Sequence, residues 1–79
     1  MKKYNIKFGE VMDLLLEGKW LRGDNFKDGC YIKLDHIGRL VLVDVNLFGH
    51  EEPYPYIRSL YGNRYRIITI ATIKELTDE

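Results

Sequence analysis

The amino-acid sequence predicts an α+β fold: an N-terminal helix packed on a small, twisted antiparallel β-sheet, with a short C-terminal helix. Three observations predict this fold. An apolar stripe of helical period occupies the start of the chain, two apolar runs flank a turn in its middle, and another strand-like run precedes the C-terminus. A chain of 79 residues is the size of one small domain, so we assign residues 1–79 to a single domain.

The first helix is predicted over residues 8–17. Its apolar positions recur at i, i+3, i+4, i+7 and i+8, which places them on one face of a helix: Phe8, Val11, Met12, Leu15 and Leu16. Gly18 follows at the position where helices often end in a left-handed residue.

Four strands are predicted after the helix, at residues 19–22, 30–34, 40–45 and 64–71. The second and third flank a turn in which Asp35 can accept hydrogen bonds from the turn backbone and Gly38 suits a left-handed position. The run Leu40–Val45 is almost continuously apolar, which predicts a strand covered on both faces.

Residues 46–63 are predicted to form one irregular segment, which is long for so small a domain. Loops of this length are often functional, and the aromatic side chains here favour an ordered one. Thr72 and Glu75 fit a capping box, which predicts a short helix over residues 72–79.

The composition restricts the classes of partner. Twelve basic and twelve acidic residues give no net charge, which argues against a protein that binds duplex DNA through its phosphates. The sequence contains neither a secretory signal nor an apolar run long enough to span a membrane, so we expect a cytoplasmic protein with no membrane partner. A core of this size often gains stability by self-association, which favours a homo-oligomer.

The reactive side chains are not arranged as an active site. Cys30 opens a strand with no histidine near it in sequence, and free cysteine is usually a small buried hydrophobe. His36 and His50 do not have metal-ligand spacing, and Glu51 and Glu52 beside His50 fit a solvated segment better than a metal site. We therefore expect a protein that is not an enzyme and that has no cofactor or metal.

The segment "EPYPYIRSLYGNRYR" has the residue types of a binding site. Prolines favour an extended backbone, in which Tyr54, Tyr56 and Arg58 project to the same side. Arg64 and Arg66 follow closely, and guanidinium groups can bind phosphate in a bidentate manner. Aromatic faces and arginines together suit a nucleotide, but the same pattern also fits a protein interface or plain packing. All three interpretations stay open at this point.

Several short motifs in the first half of the chain resemble a known family. The sequence reads Phe-Gly-Glu-Val at 8–11, Gly-Lys-Trp-Leu at 18–21, then Arg22, and Phe26 where the family usually has Trp, before Tyr-Ile at 31–32. This order resembles the second Thoeris anti-defence family, a group of small phage proteins.

The resemblance covers residues 7–43 and, more weakly, 72–79. It implies a non-catalytic phage protein that sequesters a cyclic ADP-ribose isomer in pockets between the subunits of an oligomer, in the host bacterial cytosol. Relatives of the same fold also inhibit CRISPR nucleases, so the alternative is a protein that docks on a host defence effector.

On either hypothesis, aromatic side chains would stack on the ligand or partner and arginines would bind phosphate. The residues expected to do so are Trp20, Arg22, Phe26, Tyr54, Tyr56, Arg58, Tyr61 and Arg64.

Overall fold

The fold consists of one helix on a five-stranded antiparallel sheet, in a computed structural model that describes residues 4–54 and 62–69. The strand order is β4-β3-β2-β1-β5. This arrangement confirms the predicted α+β class, whereas the predicted C-terminal helix lies outside the described residues. The elements are α1 (Phe8–Leu16), β1 (Trp20–Gly23), β2 (Cys30–Leu34), β3 (Leu40–Asp44), β4 (His50–Pro53) and β5 (Tyr65–Ile68), with a 3-10 turn at Val45–Leu47.

Helix α1 packs against the sheet through part of its predicted apolar stripe, whereas Met12 and Leu16 of that stripe are 45% and 71% exposed. Val11 and Leu15 are fully buried against Leu21 and Ile32 of the central strands. The helix ends one residue before the predicted boundary, and Gly18 takes the left-handed conformation expected of it, with φ of 88°. That turn brings the chain directly into β1.

The β2–β3 hairpin forms as the sequence predicts. One carboxylate oxygen of Asp35 accepts hydrogen bonds from the backbone N–H of Ile37 at 3.0 Å and of Arg39 at 2.8 Å. Gly38 has φ of 88°, which a residue with a Cβ adopts only at a cost. The two predictions for this turn are therefore confirmed.

The prediction that residues 46–63 are irregular throughout is wrong for their first part. Phe48 and Gly49 have φ of 58° and 76° and reverse the chain, so that His50–Pro53 pairs with β3 as an edge strand. All four side chains of this strand are exposed, so it carries no alternating apolar signal. Its proline is tolerated because an outer strand pairs on one side only.

The sheet is buried on both faces, and β3 contributes to each of them. Leu40 and Leu42 pack against the cluster under α1, whereas Val41 and Val43 belong to a second buried cluster. Successive side chains of a strand point to opposite faces, so the two clusters lie on opposite sides of the sheet. The run of apolar residues in β3 predicts this two-sided burial.

Arg22 stabilises the β1–β2 connection through side-chain hydrogen bonds to its backbone. Arg22 is only 2% exposed, and its guanidinium donates to the carbonyl oxygens of Cys30 at 2.7 Å, Lys27 at 3.0 Å and Phe26 at 3.1 Å. Its Nε donates to the Tyr4 hydroxyl at 3.2 Å. One side chain thus satisfies three carbonyls of a short loop and attaches the N-terminal segment to the same point.

The loop held by Arg22 places the Phe26 ring over the first cluster. Phe26 meets Tyr65 and Tyr54 edge to face, with ring centroids 6.3 and 5.8 Å apart. A Cβ on Gly23 would lie 2.7 Å from an atom of the Phe26 ring. Glycine at position 23 is therefore what lets the ring approach the strand.

Replacing Arg22 by Lys should destabilise the fold by about 3 kcal/mol, because one ammonium cannot span three carbonyls and leaves buried acceptors unpaired. Urea unfolding measures the effect. Arg39→Lys is the matched control, since Arg39 is exposed and its pair with Asp35 should contribute less than about 1 kcal/mol. Equal losses in the two variants would contradict the account of Arg22.

Gly23→Ala should destabilise the fold by about 1–3 kcal/mol through overlap with the Phe26 ring. Combining it with Phe26→Leu should cost less than the sum of the two single changes, because the clash is then gone. Gly9→Ala serves as the control: it has open space in α1 and should stabilise by about 0.5–1 kcal/mol. Thermal unfolding of the four variants tests this, and additive effects would refute the proposed clash.

Candidate functional site

A surface site in the described part of the chain surrounds Trp20, at the start of β1. The Trp20 ring stacks on Tyr31 with centroids 5.0 Å apart and an angle of 22° between the planes. Lys33 Nζ lies 5.9 Å from the centroid of the Trp20 ring. Tyr31 and Lys33 are two residues apart on β2, so both point to the face on which Trp20 lies.

Two depressions open on either side of Trp20. The first, which we call the polar lobe, has a volume of about 320 Å³ and lies between the end of α1 and the β2–β3 turn; its lining includes Leu16, Lys19, Trp20, Lys33, Asp35 and His36. The second, the apolar lobe, has a volume of about 310 Å³ and is lined by Gly18, Lys19, Trp20, Ile67, Ile68 and Thr69. Residues 18–20 border both.

The ionisable groups of the polar lobe favour an anion. The Arg39 backbone N–H, with the Arg39 guanidinium and the Ile37 N–H, holds the pKa of the Asp35 carboxyl below its ordinary value. The negative charge of Asp35 is thus already stabilised by the N–H groups and the guanidinium of its own turn. Lys33 Nζ pairs with Glu51 at 3.1 Å. Lys19 takes part in none of the ion pairs formed within residues 4–54 and 62–69.

A third depression has the opposite character. It has a volume of about 260 Å³, lies against the β3–β4 pair and is lined by Asp35, Glu51 and Glu52, with Arg39 as its cation. Because Asp35 is paired with Arg39 here as well, Glu51 and Glu52 are the carboxylates that disfavour phosphate in this depression. Of the three depressions, the pair around Trp20 is the one that combines an aromatic face with lysines.

The predicted site residues fall into separate places. Trp20 lies at the surface depressions, as a ligand-binding residue should. Phe26 and Tyr54 do come together, but at an angle of 63° and against the core cluster under α1, so they leave no parallel slot for a flat ring. Arg22 is buried and bonded to its own loop, a placement that gives it an architectural role.

The remaining predicted residues divide into one that is described and three that are not. Arg64 is exposed, and its guanidinium donates to the Asn63 carbonyl oxygen at 3.4 Å. Its backbone carbonyl accepts from Asp24, next to Gly23 and at the opposite end of β1 from Trp20. Tyr56, Arg58 and Tyr61 lie outside the described residues.

Sequence reasoning missed the partners of Trp20. Tyr31 and Lys33 alternate with Ile32 in β2, and that alternation places the two on one face. Their position beside Trp20 depends on the pairing of Leu21 with Ile32, which the sequence of either strand alone does not specify. The alternation in β2 therefore indicates that Tyr31 and Lys33 share a face, but it does not indicate that β1, with Trp20, lies beside them.

The reactive side chains in the described ranges include a buried thiol, Cys30, and an exposed imidazole, His50. Burial, and then the nearby Asp44 carboxylate, raises the pKa of the Cys30 thiol, which favours the unreactive neutral form. His50 lies 3.9 Å from Glu52 on the exposed edge strand. Within residues 4–54 and 62–69, no three His, Cys, Asp or Glu side chains are grouped so that they could hold a metal ion.

None of the helical structure described between residues 4 and 69 is long and apolar enough to cross a membrane. Comparison with protein-family models, curated proteins and solved structures finds no match to this chain.

Stability should fall as the pH rises above about 8. Burial raises the pKa of Tyr65 to about 12 and also raises the pKa of Cys30 and Tyr31. In the unfolded chain these groups lose protons near their ordinary pKa values, about 8.5 for Cys and 10 for Tyr, whereas the folded chain retains them. The contribution of these three groups to the free energy of unfolding is thus constant below about pH 8 and declines as the pH rises through their ordinary pKa values.

Urea unfolding between pH 7 and 10.5 measures this decline. Cys30→Ala should remove its first part, between about pH 8 and 9.5, and leave the tyrosine part in place. A free energy of unfolding that stays flat to pH 10.5 in the unmodified protein would contradict the burial of these three groups.

Proposed function

We propose that the protein is a non-catalytic phage counter-defence protein that binds and withholds a nucleotide immune signal, of the cyclic ADP-ribose type or a related one. The observation that carries the proposal is the group around Trp20: an indole backed by Tyr31, the ammonium of Lys33 above it, and a depression on each side. A nucleotide requires a flat apolar face for its base and fixed cations for its phosphates.

The size and chemistry of the site suit this ligand class. Each lobe is at the lower end of the roughly 300–1,000 Å³ range of small-molecule sites. Stacking of a base on an aromatic side chain contributes about 1–3 kcal/mol. Lys19 and Lys33 supply positive charge to a chain whose overall charge is zero, so the attraction for an anion is local.

Sequestration rather than turnover agrees with the groups that line the lobes. Asp35, the carboxylate of the polar lobe, accepts three hydrogen bonds from Ile37 and Arg39 and is held in its own turn. Such a carboxylate is a poor general base because its lone pairs are occupied and its proton affinity is low.

The family resemblance supports the biological setting. The first three residues of its Gly-Lys-Trp-Leu motif, at 18–20, border both lobes and include Trp20 itself. On this proposal the protein acts in the host bacterial cytosol as a homo-oligomer.

A second candidate function, inhibition of a host defence effector by direct docking, is favoured by a different surface. Phe48 is completely exposed, at 103%, and has φ of 58°, a conformation that is strained for a bulky residue. Leu47 beside it is 54% exposed. An aromatic side chain held out in this way is typical of an anchor residue in a protein interface.

A thermal-shift panel of nucleotides, including cyclic ADP-ribose isomers, tests the proposed function. A bound signal at 100 times its dissociation constant should stabilise by about 2.7 kcal/mol, which raises the melting temperature of a domain this size by about 10 °C or more. Trp20→Ala should abolish the shift, whereas Phe48→Ala should preserve it. The bound molecule should return unchanged when the protein is denatured by heat.

Three outcomes would redirect the proposal. Recovery of a cleaved product would make the protein an enzyme. A lack of any shift across the panel would overturn the proposed sequestration. Capture of one host effector that depends on Phe48 and not on Trp20 would establish the docking function instead.

A further inference from the structure

We infer that the two lobes form one bipartite site for a nucleoside carrying a diphosphate, and that Glu51 tunes its affinity by competing with the phosphates for Lys33. The base would lie in the apolar lobe, the diphosphate in the polar lobe, and Lys19 at the junction. This inference rests on the proposed function and assigns each part of the ligand to its own residues.

The lobes are adjacent because of the strand order. β1 lies between β2 and β5. On the β5 side, Trp20 pairs with Ile68. On the β2 side, Leu21 pairs with Ile32, and Lys33 is the residue after Ile32. The helix exit at Gly18 and Lys19 borders both depressions. A ligand of two linked parts can therefore occupy both lobes across residues 18–20.

The lobes differ in chemistry in the way that a base and a diphosphate differ. The apolar lobe is lined by Ile68, which is 2% exposed, and by Ile67, which is 41% exposed. The polar lobe instead has Lys33 on its wall, and the carboxylate there, Asp35, is held by its own turn. A flat ring should bind more favourably in the apolar lobe, and an anion in the polar lobe.

Glu51 forms an ion pair with Lys33, the cation that the diphosphate requires. The distance between Glu51 Oε2 and Lys33 Nζ is 3.1 Å, and the side chains are 42% and 24% exposed. Pairs this exposed are weak, so a phosphate can displace the carboxylate at little cost. Lys33 also stays near the Trp20 ring, at 5.9 Å, so it needs only a small movement to turn from Glu51 toward the ligand.

Titration calorimetry with three probes tests the division of the site. Adenosine represents the base part, inorganic diphosphate the anion part, and ADP both together. Since linked parts bind in one event, ADP should bind more tightly than either probe alone. Lys33→Gln should weaken ADP and diphosphate about tenfold and leave adenosine unchanged.

Two further variants separate the lobes. Glu51→Gln should tighten ADP and diphosphate by roughly threefold to fivefold, because it releases Lys33. Ile67→Asp should weaken adenosine and ADP about tenfold while diphosphate is far less affected, because it puts a charge against the base. Glu52→Gln is the matched control: Glu52 is next to Glu51 on β4 but points to the other face and should change nothing.

The outcomes distinguish this inference from the function beneath it. If a cyclic signal stabilises the protein but ADP and diphosphate do not bind, sequestration stands and the bipartite site is wrong. If ADP binds with equal affinity to the protein and to the Glu51→Gln variant, the role of Glu51 is overturned. If Ile67→Asp leaves adenosine binding unchanged, the apolar lobe is not the base site. If no probe and no signal binds, both proposals fail.

Discussion

The buried guanidinium of Arg22 is the interaction on which the rest of the structure depends. It gathers three loop carbonyls and the Tyr4 hydroxyl at one point of β1, and so fixes the β1–β2 connection and the N-terminal segment together. Hydrogen bonds to a charged donor are among the stronger ones in proteins, and here they replace the apolar contacts that a chain of this size lacks. Trp20 lies two residues away on the same strand, so its position is set by the same anchor.

Local charge, rather than total charge, decides what this molecule can attract. Its acidic and basic residues balance, yet they are distributed unevenly over the described surface. Glu51 and Glu52 lie at the β3–β4 edge, whereas Lys19 and Lys33 line the depression beside Trp20, in which Asp35 is paired with Arg39. Glu51 and Lys33 connect the two regions through one exposed ion pair. Because such a pair is weak in water, it keeps the lysine in place without preventing an incoming anion from taking it over.

Sequence patterns predicted the elements whose signals are local. The helix that ends before Gly18, and the turn of Asp35 and Gly38, depend on neighbours within a few residues, and the structure confirms both. The edge strand His50–Pro53 escaped prediction because its side chains are exposed and polar. The site was harder still. The residue type of Trp20 indicates a binding role, but its partners are fixed by strand register, and the role of Arg22 depends on carbonyls that converge only in three dimensions.

The central claim is that a ligand binds against Trp20. Trp20 is the single tryptophan of the chain, so intrinsic fluorescence reports on this place alone. Titrating the protein with a nucleotide that stabilises it should change the indole emission in a saturable way, with the midpoint that calorimetry gives for the same ligand. Unchanged emission at full occupancy would show that the ligand binds elsewhere, and would contradict the account.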